Sequence, residues 1–153
     1  MTNDVIMKNL PAQRIVSLRE SIRTYRAVGQ LIGKLYGALG PLAEQGAGVV
    51  LLRDTQYKEN NVDAEAGVYL KQPAQVLDPL RCYQLPHVTV ASAVHHGAFN
   101  QIGEAYTTLL RWVEANLYRP SGPTREIFLK VNVPASRDDE SNITEIQVPR
   151  EKA

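Results

Sequence analysis

A single cysteine, Cys82, in 153 residues excludes an internal disulfide. It stands between Arg81 and Tyr83, just before an apolar run, and reads as a half-buried strand residue. Net charge is also missing. Lys+Arg 17 against Asp+Glu 16 leaves a formal charge of +1, so the basic stripe of a nucleic-acid-binding surface is not expected. No apolar run approaches the ~18 residues needed to cross a bilayer. The opening MTNDVIMKNL has no apolar leader. The expectation is a cytoplasmic protein without a membrane partner. Three histidines with no cluster at ligand spacing argue against a metal. No phosphate-cradling glycine loop, nucleophile elbow or triad spacing is present, and no cofactor is expected. Gly29, Gly33, Gly37 and Gly40 recur at roughly helical spacing. They are expected to let the first helix pack closely, at some cost in helix propensity.

What the chain does contain is a copy of itself. Between Tyr25 and Leu39 the apolar residues Tyr25, Val28, Leu31, Ile32, Leu35, Tyr36 and Leu39 fall three and four apart. That spacing is one helical stripe facing a core. Phe99, Ile102, Tyr106, Leu109, Leu110 and Val113 repeat the pattern. Shifting the first stripe by 74 places Tyr25 on Phe99 and Gly29 on Gly103. Before each helix lies a short strand, a Leu-Pro turn (Leu10-Pro11, Leu85-Pro86) and a strand rich in β-branched residues. After the first helix come GVVLLRD and VDAEAGVYL; after the second come REIFLKVNV and NITEIQVP. The expected fold is α+β: a single domain over 1–153 made of two pseudo-symmetric β-β-α-β-β repeats. The repeats run about 4–72 and about 81–150, joined by PAQVLDPL, residues 73–80. Neither repeat is large enough to bury its helix stripe well alone. Paired, they would share a sheet and leave a central ligand cleft.

Alternation along the strands sorts side chains by face. In Thr124–Val133 the apolar Ile127, Leu129 and Val131 share one face and are expected to meet the helix. Glu126, Phe128 and Lys130 then take the opposite, cleft face. By the same rule Ile146 and Val148 turn to the helix, and Glu145 and Gln147 away. In the first half Val62, Ala64, Ala66 and Val68 go inward, leaving Asp63, Glu65 and Tyr69 with the cleft. Glu65 and Glu145 match each other in the two repeats, so the scaffold explains them. Glu126 falls where the first repeat has Val50, and the scaffold does not demand it. A partly buried carboxylate without a protein cation is costly. Aromatic rings beside it would add cation–π attraction. Such a site suits flat, lipophilic cations and discriminates little among them.

Several motifs together carry a family likeness. They are His95-x-Gly97-x-Phe99, Tyr106-x-x-Leu109-x-x-Trp112, Arg125-Glu126-Ile127-Phe128 and Thr144-Glu145-Ile146. Asp54, Tyr57, Val62, Asp63 and Glu65 in the first half fit the same pattern. The chain resembles the GyrI-like small-molecule-binding domain, and more narrowly the C-terminal effector domain of MerR-type, BmrR-like multidrug regulators. The resemblance implies that Glu126 receives small hydrophobic or cationic organic molecules, with Phe128 beside it. Tyr106, Trp112, Tyr69, His95 and Glu145 complete the candidate ligand-binding set. Around Ile102 and Asn142 the chain offers aliphatic and amide groups where the regulators have tyrosines. Those regulators carry a winged helix-turn-helix and a long dimerisation helix; nothing like either precedes Asp4. The expectation is a stand-alone member, or an effector portion that reaches DNA only through a separate domain. Monomer and dimer both remain open.

Two other functions follow from the same likeness. Stand-alone relatives that hydrolyse cyclopropane-bearing antibiotics suggest catalytic roles for Glu126 as base and for His95 or Tyr106 as proton donor. Adjacent His95 and His96 point to opposite faces, so at most one serves the cleft. The bland alternative for His95 is a strand-end residue before the helix. The gyrase inhibitor that names the family suggests a protein-interaction role. The run Arg137-Asp138-Asp139-Glu140 reads better as a solvated hairpin loop. Simple binding, without chemistry, is the reading preferred here.

Overall fold

A computed structural model of the chain describes residues 4–132 and 136–153. Nine strands and two helices alternate among the described residues: β1 (Ile6–Leu10), β2 (Gln13–Ile22), α1 (Val28–Leu39), β3 (Gly48–Leu52), β4 (Val62–Tyr69), β5 (Arg81–Leu85), β6 (Val88–His96), α2 (Gly103–Ala115), β7 (Tyr118–Pro120), β8 (Thr124–Lys130) and β9 (Ile143–Lys152). Each helix is entered through one 3-10 turn, Tyr25–Ala27 or Phe99–Gln101. The expected strand over 124–133 stops at Lys130, where a bulge between Phe128 and Lys130 breaks its register with β9. Val133 lies outside the described residues. The run Arg137–Glu140 is largely exposed.

The chain condenses into two compact units. Residues 11–87 form one of them, with α1 and an antiparallel sheet in the order β3-β4-β2-β5. The stripe on α1 buries Leu31, Leu35 and Leu39, and β4 buries Val62, Ala64, Ala66 and Val68 completely. The residues up to Leu10 and those from 88 onward form the other. It holds α2 and the antiparallel order β1-β6-β9-β8, with β7 on the far end of β9. Here Ala105, Leu109 and Val113 of α2 pack on Ala91 and Ala93 of β6 and Ile146 and Val148 of β9. The unit of residues 11–87 is one contiguous stretch, whereas the other joins the leading strand to the residues from 88 onward. The leading strand β1 pairs with β6, and β5 pairs back onto β2.

The glycines of α1 do not work as expected. Gly29, Gly33, Gly37 and Gly40 are exposed, and an added Cβ at each would meet nothing within 4 Å. Close packing is not their purpose. Only Gly40, at the helix C-terminus with φ 55, has a backbone that favours glycine. Gly33→Ala is accordingly expected to stabilise the fold by ~0.5–1 kcal/mol. Thermal denaturation should show the midpoint rising by a few degrees, about 2–4 °C per kcal/mol.

Candidate functional site

The antiparallel register places the residues of the second unit in rows, because directly paired residues share a face. One row runs Ala93–Ile146–Glu126, and the next runs His95–Thr144–Phe128. Ala93 and Ile146 belong to the core packed against α2. Glu126 and Phe128 therefore lie on the helix-facing side of β8. This corrects the expected orientation, which turned the apolar Ile127 to the helix. Ile127 instead pairs with Glu145 on the other face. That face is buried too: Arg125, Ile127, Glu145 and Gln147 are all under a tenth exposed. Alternation separates two faces, and where both are buried it does not tell which one a helix covers.

The helix explains what happens at Glu126. Tyr106, on the core side of α2, donates its hydroxyl hydrogen bond to Glu126 Oε2. Among the described residues no lysine or arginine forms an ion pair with Glu126. Burial pushes this carboxyl above the ordinary glutamate range. The Tyr106 bond and the field of Arg137 oppose the shift without cancelling it. Part of the residue still reaches the surface. One step along the same face, Phe128 meets Phe99 edge-on, with ring centroids 5.5 Å apart and planes at 71°. A carboxyl held by one neutral hydroxyl beside two aromatic rings can take up a proton, or it can stay ionised against an incoming cation.

The other candidates have different surroundings. His95 is buried at the end of β6, and its Nε2–H donates to the Ala98 carbonyl at 3.0 Å, closing the turn ahead of α2. Its row neighbours are Thr144 and Phe128. Trp112 stacks on Tyr118, centroids 6.4 Å apart, and Arg150 lies 4.1 Å over the Tyr118 ring. Glu145 lies on the face opposite Glu126. It accepts from Lys8 Nζ at 2.8 Å, Ser92 Oγ at 2.7 Å and Gln147 Nε2 at 2.9 Å. Burial alone would raise this carboxyl, but those bonds outweigh it and hold it below its ordinary range. Tyr69 belongs to the unit of residues 11–87, at the end of β4 opposite Ile15.

That unit has an acidic centre of its own on β4. Glu65, 2% exposed, accepts from Ser17 Oγ at 2.5 Å, from Tyr83 OH at 2.5 Å, and from Arg53 Nε and Nη2 at 2.9 and 2.6 Å. Burial is again outweighed, and Glu65 stays below the usual glutamate range. Burial and the Glu65 bond together push Tyr83 up to about 12. Asp54 caps the loop before β4 through the Asp63 N–H at 2.8 Å, and Tyr57 stacks on Tyr25 with centroids 5.4 Å apart. A hollow of 690 Å³ along residues 74–77 and 80–82 is lined by none of the candidate side chains and is bordered by the half-buried Cys82. The described residues hold no metal-binding cluster and no helix long and apolar enough to cross a membrane.

Thr144 is the residue that sequence reasoning passed over. It is fully buried on the Glu126 face of β9. Its signal was present: a polar residue at the alternation of the apolar Ile146 and Val148.

The sequence matches the family described as the GyrI-like small molecule binding domain over residues 3–150. No match was found among curated protein sequences. The fold is similar to the crystal structure of the EcmrR C-terminal domain: TM-score 0.87, 23% identity, with 100% of each chain covered. It is equally similar to EcmrR in a cryo-EM complex with DNA, at TM-score 0.87 and 24% identity. There 99% of this chain spans 58% of that one. A protein solved with tetraphenylphosphonium bound has TM-score 0.62 and 13% identity over 97% of this chain and 94% of its own.

Proposed function

Given that this chain belongs to the GyrI-like small molecule binding domain family, we propose that Glu126 seats the positive end of a lipophilic organic cation. The observation that carries this reading is the carboxyl itself. It is desolvated enough to sit above its ordinary range, and its one hydrogen-bond partner among the described residues is a neutral tyrosine. A cation entering beside it replaces the missing counter-charge, and Phe128 and Phe99 supply apolar area and ring faces. Tetraphenylphosphonium in a structurally similar protein is a ligand of this chemical class, and it supports the reading.

The two units read as pseudo-symmetric repeats in three dimensions. Ser17 and Ser92 bond the carboxylates of Glu65 and Glu145, and Tyr83 and Lys8, each on the strand beside, reach the same carboxylates. Under this correspondence Val50, opposite Ala66, holds the place of Glu126, opposite Ile146. Val50 is fully buried. A slot filled by valine in one half and, in the other, by a carboxyl with no ion-pair partner among the described residues is a departure that packing does not require. The similarity to EcmrR supports a role as the effector-binding portion of a regulator, with DNA contacted by another part of that regulator's chain.

The test is linkage. Only the ionised carboxylate attracts a cation, so the raised carboxyl must lose its proton on binding. Tetraphenylphosphonium affinity should rise with pH by about tenfold per unit below the raised value of the Glu126 carboxyl, then level off above it. Calorimetry in buffers of different ionisation enthalpy should register one proton released per cation on the rising limb, with circular dichroism checking that the fold persists. Affinity that is flat with pH, or no binding at all, would sink the reading.

A further inference from the structure

Among the described residues, four buried side-chain atoms lack a hydrogen-bond partner, and two of them belong to Thr144, paired with Phe128, and to Asn142, two residues before it. Thr144 is 0% exposed and its Oγ1 is unmatched. It stands directly opposite Phe128 and is the diagonal neighbour of Glu126 across the β8–β9 pair. Diagonal neighbours lie about 7–8 Å apart at Cα, within joint reach of one polar group placed between their side chains. Asn142, two residues before Thr144, is 1% exposed. Its Nδ2 donates to the Ser136 carbonyl at 3.0 Å, which orients the amide and leaves Oδ1 as the unmatched atom. Burying a hydroxyl or an amide oxygen without a partner costs stability, and such atoms are uncommon in folded proteins. Valine would fill the volume of Thr144 without that cost.

We propose that Thr144, with Asn142 beyond it, forms a polar subsite beside Glu126 that selects organic cations carrying N–H groups over fully substituted onium ions. The proposal rests on Glu126 being the seat of the cation. A carboxylate, an amide oxygen and a hydroxyl that can accept make a set of acceptors, and their complement is a donor. A primary or secondary ammonium, or an amidinium, has two or more N–H bonds. It can satisfy the carboxylate and the Thr144 oxygen together at about 2.8–3.0 Å each. A quaternary ammonium or phosphonium offers only C–H surface. It leaves the Thr144 oxygen unmatched and gains the charge term alone. Phe99 and Phe128 then hold the aromatic body of either kind of ligand. This subsite gives selectivity to a charge-and-stacking site that would otherwise have little.

Calorimetric titration with three probes tests the subsite: 1-naphthylmethylammonium, its N,N,N-trimethyl analogue, and tetraphenylphosphonium. The wild-type chain should bind the primary ammonium about tenfold tighter than the trimethyl compound, the effect of one charge-assisted hydrogen bond. Thr144→Val should bring that ratio close to one, and Thr144→Ser, which keeps the hydroxyl, should preserve it. Thr144→Val should also melt higher than wild type without ligand, because the unmatched oxygen is gone. A wild-type ratio at or below one overturns the subsite, as does a ratio that survives Thr144→Val or a lower melting point for that variant. If tetraphenylphosphonium still binds, the Glu126 seat stands and the subsite alone falls. If none of the three probes binds, both fall.

Discussion

Glu126→Gln is expected to weaken tetraphenylphosphonium binding by about 30- to 100-fold at neutral pH, and to make the empty protein more stable. The affinity loss corresponds to removing a charge partner in a desolvated site, ~2–3 kcal/mol at ~1.4 kcal/mol per tenfold. The stability gain follows from the direction of the carboxyl's shift. Burial raises Glu126 above its value of 4.5 in the unfolded chain. Between those two values the folded state holds more protons than the unfolded state, so stability falls as pH rises. Below 4.5 the protonated acid carries no penalty; above the raised value the penalty is complete and constant. Glutamine keeps the shape and can still accept from Tyr106, but it has no charge to desolvate. Wild-type and variant melting curves should therefore coincide in acid and separate toward neutral pH, with the variant higher. A variant that binds the cation normally, or that melts lower than wild type at pH 7, contradicts the assignment. Loss of affinity joined to gain of stability is the signature of a residue kept for a ligand, because a structural residue loses both.

Glu65→Gln should behave in the opposite sense. Its carboxylate is 3% exposed at the side chain and its partner Arg53 21%. The substitution leaves a mostly buried guanidinium without its counter-ion and loosens the bonds from Ser17 and Tyr83. Breaking a buried pair from one side costs ~3 kcal/mol or more. In a chain of this length the thermal midpoint should fall by roughly 6–12 °C. The pH dependence is also reversed. Glu65 is held below its ordinary value of 4.5, so its stabilisation is fully present above that value and disappears as pH falls through the depressed one. The variant should converge on wild type only in strong acid. Removing both charges, by Arg53→Met with Glu65→Leu, should recover part of the loss. A neutral Glu65→Gln would mean that the network is ornamental. Cation binding at Glu126 offers an internal control, since Glu65 lies in the other compact unit.

The two glutamates also mark where sequence reading succeeds and where it stops. Glu65 and Glu145 fall at like places when the two halves of the sequence are aligned, and each is embedded in three hydrogen-bonding neighbours. Glu126 stood out because its counterpart, Val50, is apolar. Both contrasts were visible in the order of residues. The partners were not. Arg53, Ser17 and Tyr83 reach Glu65 from three other strands or loops, and nothing local in the chain ranks them above other donors.

Sequence alone determined the α+β composition, the two helical stripes and most of the strands. These depend on short-range periodicity, which the order of residues contains in full. Tertiary structure alone decided the rest. It put Glu126 rather than Ile127 on the side of α2, brought the Tyr106 hydroxyl to that carboxyl, set Thr144 beside it, and paired β1 with β6 and β5 with β2. The reason is physical: alternation divides a strand into two faces but does not say what will cover them. Here both faces of β8 are largely buried, and register with distant strands chooses which polar atoms find partners and which do not.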